Sequence, residues 1–261
     1  MAVVVSGAFV TSAELAARQA QTGFSGDILE VLPWGEALHR ALGVALTVLT
    51  LGLGIWTSFT ASPGWLRALT WITLAPLTIA AALGWQGPPL PPSLGIVHAL
   101  LAHFALSVIV AIATATSPAW NRETDQAGGG GRSSLLRLAV ATPPVVFLQI
   151  ALGTAYRHEV IGIMPHMGGA LLVALMTLIL SAVILQNSLG PAPMRRAAAA
   201  LISIVLAQVC LGISSFLMLV LNAAGTFAFV LTTAGHVSIG AATLAASVVM
   251  AMQLYVWGGS K

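Results

Sequence analysis

The sequence predicts an all-α integral membrane protein, with eight transmembrane helices arranged as two repeated four-helix bundles. Three observations predict it. Hydrophobic residues make up 58% of the 261-residue chain and charged residues 7%, against about 25% charged in an ordinary soluble domain. Apolar windows of the ~20 residues needed to cross hydrocarbon recur along the whole length. A polar, Gly-rich stretch, "SPAWNRETDQAGGGGRSS", divides those windows into two groups.

The elements follow in order. The opening "MAVVVSGAFV" is too short to span alone, and it has neither a basic n-region nor a small-residue cleavage site, so it reads as the exit half of a first helix rather than a signal peptide. Seven full windows come after it, at 37–57, 66–85, 94–116, 135–155, 166–186, 197–221 and 227–250. The segment "AELAARQAQTGFSGDILEVLPW" between the first piece and the next window reads as an outer loop. Residues 1–117 form the first half, 118–134 a flexible linker and 135–261 the second half. With residue 1 inside, the inner side carries Arg67, Arg122, Arg132, Arg137, Arg195, Arg196 and Lys261, and the outer side Arg18, Arg40 and Arg157. That bias obeys the positive-inside rule. It predicts a multi-pass protein of a prokaryotic cell membrane with both termini cytoplasmic.

Composition also excludes function classes. A net charge of +3 is too small for a nucleic-acid surface, and a single cysteine, Cys210, forms neither an internal disulfide nor a thiolate metal cluster. The run Gly128–Gly131 lacks the strand–turn–helix context of a dinucleotide site.

The histidines are informative. His39, His98, His166 and His236 open even-numbered helices from the outer side, and His103 and His158 also fall on the outer half or in an outer loop. "EALHRALGVAL" parallels "MPHMGGALLVAL", "IVHALLAHFAL" parallels "AGHVSIGAATL", and "VVVSGAFVTS" parallels "LQIALGTAYRH" in the placing of its glycine. Parallel repeats put like features at like depth, and ionisable groups within spans are costly and usually functional. With no carboxylate beside His98, His166 or His236, zinc and di-iron sites lack ligands. Two imidazoles from facing helices among small residues suit axial ligation of a haem iron, one haem per half. His103 competes with His98, but five residues along a helix turn the side chain by about 140°. The repeat favours His98 and leaves His103 as a satisfied polar group between helices.

Glu36 and His39 stand at i and i+3, on one helix face, whereas Ile163 stands three before His166. An acid beside one histidine pair and not the other places reaction in the first half. The competing reading of Glu36 is an acid facing the macrodipole of a helix N-terminus. Arg40 either pairs with a carboxylate or snorkels to the headgroups. Arg157 and His158 are either candidate propionate contacts or a solvated loop pair.

"GEALHRALG" resembles the E-x-x-H-R motif that opens the second helix of the haem A synthase family. "GAFVTS", "LQIALGTAYRH", "LAQVCLGISS" and "TTAGHVSIGAATLAASVV" resemble that family in order and spacing, across nearly the whole chain. The resemblance implies a haem A synthase that oxidises the C8 methyl of haem O to a formyl group, giving haem A for terminal oxidases. It implies that His39 and His98 hold the substrate haem, that Glu36 assists the oxidation, and that His166 and His236 hold a resident haem b. Arg40, Arg157 and His158 become candidate propionate contacts. Haem O, a haem O synthase or terminal oxidase assembly partner, an external electron donor, membrane lipid and a homo-oligomeric copy are the implied partners. The chain departs from the family in its first outer loop, which has neither cysteine nor a Pro-Asp-Trp segment. Two other classes fit the same histidines: a bis-haem electron-transfer cytochrome, and a haem-binding chaperone.

Overall fold

A computed structural model describes residues 1–19, 26–86, 90–118, 120, 133–187 and 192–259. Among them there are eight long helices: α1 (Ala2–Gln19), α2 (Gly26–Phe59), α3 (Gly64–Trp85), α4 (Pro92–Ala115), α5 (Ser133–Arg157), α6 (Ile163–Gln186), α7 (Ala192–Val220) and α8 (Phe227–Gly259). Seven of them, α2 to α8, are long and apolar enough to cross a membrane. Most of the 118–134 linker, with Arg122, Arg132 and Gly128–Gly131, lies outside the described residues, as does Lys261.

The predicted windows match α3 to α6 to within three residues; α7 starts five residues early and α8 ends nine residues late, and the larger difference lies at α1 and α2. The expected outer loop is largely helical: α1 runs on to Gln19 and α2 begins at Gly26. The physical reason is local. "SAELAARQ" is rich in strong helix formers, and Glu14 and Arg18 pair at 3.8 Å one turn apart. Pro33 lies inside α2 and does not end it. A proline removes one backbone hydrogen bond, a loss that long membrane helices tolerate, as also at Pro76 in α3 and at Pro143 and Pro144 in α5.

Packing divides the chain into two units: residues 1–105 with 207–241, and residues 106–206 with 242–261. In the first, Ala13 and Ala16 of α1 pack with Ala224, Phe229 and Val230 around the start of α8. Phe9 meets Phe227 edge-on at 6.5 Å and 70°. Helices α2 and α3 are joined by Thr57 Oγ1 and Thr70 Oγ1 at 3.3 Å and by Trp71 Nε1, which donates to Ser58 Oγ at 3.2 Å. In the second unit, Leu180 and Ile184 of α6, Met194 and Ala198 of α7, and Met250 and Leu254 of α8 close around Ala139 of α5. Large apolar side chains point outward instead: Leu49 is 70% exposed and Leu171 73%. Outward Leu, Ile and Phe are what hydrocarbon solvates. Small residues and hydroxyls that bond their own helix's carbonyls, such as Thr177 to Val173 O at 2.8 Å, form much of the interior.

Two helix ends set up the histidine-bearing helices that follow. After α5, Val160 N donates to Ala155 O and Glu159 N to Tyr156 O, both at 2.9 Å, with Glu159 at φ 61°. After α7, Ala223 N donates to Met218 O at 2.8 Å and Asn222 N to Leu219 O at 3.2 Å, with Asn222 at φ 55°. Both are Schellman caps, in which one left-handed residue lets the last carbonyls find donors.

Candidate functional site

Each of the four histidines singled out by the sequence sits over a glycine of the helix before it. A Cβ added at Gly7 would lie 2.8 Å from His39 Cε1, at Gly84 3.2 Å from His98 Cε1, at Gly153 2.8 Å from His166 Cε1, and at Gly212 2.9 Å from His236 Cε1. Only a residue without Cβ admits an imidazole that close to the backbone. The second contact also repeats. His39 Nδ1 is 3.1 Å from Val3 O, His98 Nδ1 2.9 Å from Ala80 O, and His236 Nδ1 3.0 Å from Gln208 O. The Gln149 carbonyl is the backbone partner of the His166 ring. Val3, Ala80, Gln149 and Gln208 each stand four residues before their glycine.

One five-residue device therefore occurs four times, as "VVVSG", "AAALG", "QIALG" and "QVCLG", on α1, α3, α5 and α7. Its first residue lends a carbonyl and its last residue lends the space. A carbonyl oxygen can only accept, so at His39, His98 and His236 it assigns the proton to Nδ1 and leaves Nε2 with its lone pair. This is how proteins orient an imidazole for a metal: the ring nitrogen away from the metal donates to a backbone carbonyl.

Within the first unit His39 and His98 come together, with ring centroids 6.0 Å apart and planes at 66°. A metal–imidazole bond of about 2 Å, added to the ring radius on each side, puts two imidazoles on opposite sides of one metal atom roughly 6 Å apart between centroids. The donor set thus fits a bis-histidine iron. Among the described residues, no group of three or more His, Cys, Asp or Glu side chains gathers, so the donor set of the first unit is the His39–His98 imidazole pair.

His103 is placed differently. It is 5% exposed, and its Nδ1 bonds Ala99 O of its own helix at 2.7 Å. His158 lies in the turn after α5, its backbone N donating to Thr154 O at 3.0 Å, next to Arg157, the last residue of that helix.

Glu36 lies well inside α2, not at its N-terminus, so the macrodipole explanation fails for it; that effect fades within the first turn. Its Oε2 is 3.8 Å from Arg40 Nη2. Both residues line an open groove of about 670 Å³ with Pro33, Ala37, Ala41, Val44, Ala45 and Trp85. His39 turns instead to α1. Neither His39 nor His98 lines the groove.

Several contacts escaped the sequence reading. Ser6 Oγ is 3.1 Å from His39 Nδ1. Tyr156 stacks on His166, with centroids 6.4 Å apart and planes at 10°. Gln149 Nε2 reaches His166 Nδ1 at 2.9 Å and donates to its carbonyl at 2.8 Å. Gln208 Nε2 lies 3.4 Å from His236 Nε2. These glutamines lean on Gly169 and Gly240 of the following helices. The signal available for them was the residue four before each seat glycine.

No family model, no curated protein and no solved structure matches the chain.

Proposed function

We propose that this chain is a haem-modifying membrane oxidase of the haem A synthase type, which converts the C8 methyl of haem O to a formyl group. The observation that carries the reading is the fourfold glycine–carbonyl seat beneath His39, His98, His166 and His236, with His39 and His98 6.0 Å apart. The same seats support reading the chain as repeated helix pairs, two in each half. His39 and His98 would hold the substrate iron, and His166 and His236, each on its own seat, are the candidate ligands for haem b. Bound haem b supplies one-electron redox chemistry.

The protein's own part is positioning. Carbonyls at Val3 and Ala80 fix the two imidazoles and leave each Nε2 with its lone pair, with which the pair would hold the iron of a bound haem. Glu36 is one turn before His39, and its Oε2 would relay the protons that the oxidation consumes. Arg40, paired with Glu36, holds that carboxylate at the groove and supplies a cation for a propionate. Taking the methyl to the formyl level would use dioxygen as co-substrate: each of two hydroxylations would consume one O2, two electrons and two protons and release one water. The resulting gem-diol would lose water to give the formyl group, so an external electron donor is the chain's partner.

One observation favours a second reading. The Glu36–Arg40 pair faces a groove whose lining does not include His39, as it would in a bis-haem electron-transfer cytochrome that has no use for an acid at the iron. Incubating the purified protein with haem O and a reductant under air, then analysing the pigment by mass, separates the two. The synthase reading requires a hydroxylated or formyl product that Glu36→Ala abolishes while pigment binding persists; unchanged haem O in the native protein favours the cytochrome.

A further inference from the structure

The four seats are alike except at one position. The residue before the glycine is Leu83, Leu152 and Leu211 in three of them and Ser6 in the first. Leucine offers the ring no polar atom. Ser6 does: its hydroxyl donates to Val3 O at 3.0 Å, so toward His39 Nδ1, 3.1 Å away, it presents a lone pair. Nδ1–H is then divided between Ser6 Oγ and Val3 O, also at 3.1 Å, and Val3 O is itself shared between two donors. At His98 the corresponding bond to Ala80 O is undivided, at 2.9 Å.

Donation from Nδ1–H makes an imidazole a stronger ligand, and outer partners of this kind change metal affinity by about 10- to 100-fold when removed. A divided donation gives less of that strengthening. We propose that Ser6 is a positioning residue that weakens the His39–iron bond and makes the haem at His39 and His98 the exchangeable one. This rests on the haem reading of the site given above. It gives a physical basis for a substrate haem that leaves after reaction, which Glu36, acting on the macrocycle edge, does not supply.

The test uses the full chain loaded with haemin. Release to excess apomyoglobin is followed in native protein, Ser6→Ala, Ser6→Thr and His39→Ala, with the midpoint potential of each. In the native protein a fast-release phase is expected that His39→Ala removes. Ser6→Ala should slow that phase roughly threefold to tenfold, the range of one neutral hydrogen bond, and lower its potential, because a more basic imidazole favours ferric iron. Ser6→Thr, which keeps the hydroxyl, should retain native release. If Ser6→Ala does not fold, Ser6→Leu, the residue of the other three seats, takes its place with the same expectation. A phase lost in His39→Ala but unmoved in rate and potential by Ser6→Ala overturns this inference alone, as does Ser6→Thr behaving like Ser6→Ala. The absence of any His39-dependent haem overturns the haem reading itself.

Discussion

Replacing Gly7 by alanine should weaken haem binding at the first histidine pair without unfolding the chain. The new methyl would lie 2.8 Å from His39 Cε1, whereas carbon atoms rest at about 3.5–4.0 Å. His39 must therefore retreat by roughly 0.7–1.2 Å or push α1 away. Overfilling a packed site costs about 1–3 kcal/mol, which corresponds to roughly 5- to 150-fold in affinity when it falls on the bound state. The control is Gly52→Ala on α2, where nothing lies within 4 Å and helix propensity improves by about 1 kcal/mol. Haemin titration of both variants, read from the Soret band, gives the ratio directly. Gly84→Ala, at 3.2 Å, should fall between them. Equal haemin affinity for Gly7→Ala and Gly52→Ala would refute the seat, because the two differ in what the methyl meets and not in helix chemistry.

His98→Ala should abolish the bis-histidine low-spin signal of the first pair in electron paramagnetic resonance, while His103→Leu keeps it, since His103 is satisfied by its own helix; the reverse result would exchange their roles. His166→Ala or His236→Ala should lose the tightly held pigment after detergent washing, and retention of full haem b content would remove those residues as ligands. Tyr156→Leu removes the ring stacked on His166, worth about 0.5–1.5 kcal/mol, so haem release from that ligand should quicken a few-fold; Tyr156→Phe should not differ from native.

Much of the architecture was legible because hydrocarbon sets a length scale that a hydropathy window reads without any periodicity. Helices α3 to α6 were bounded this way to within three residues, whereas α7 begins five residues before its window and α8 runs nine residues past its own. The failure at α1 and α2 has a specific cause. "SAELAARQ" and the stretch around Pro33 are polar or broken by the standards of a membrane span, yet they are good helix formers outside it, and a window tuned to hydrocarbon cannot see them. The histidines were legible as costly groups recurring near the starts of even-numbered helices. Their seats were only half so. The matching glycines in "VVVSG" and "QIALG" are visible, but a glycine's purpose at Gly84 or Gly212 is a ring on another helix, and no single segment states that contact. Ser6, Tyr156 and the glutamines escaped for the same reason: each is ordinary in its own helix and matters only through its neighbour. Glu36 was rightly seen one turn from His39, but its pairing with Arg40 on the groove side depends on how α2 is rotated.

The most direct test of the central claim is mass analysis of the pigments extracted from the full chain purified from cells that make haem O. A haem-modifying oxidase predicts haem b together with haem O, haem A or a hydroxylated intermediate, the latter group lost in His39→Ala. Haem b alone, at two per chain and unaffected by the supply of haem O, would contradict it and leave a bis-haem cytochrome.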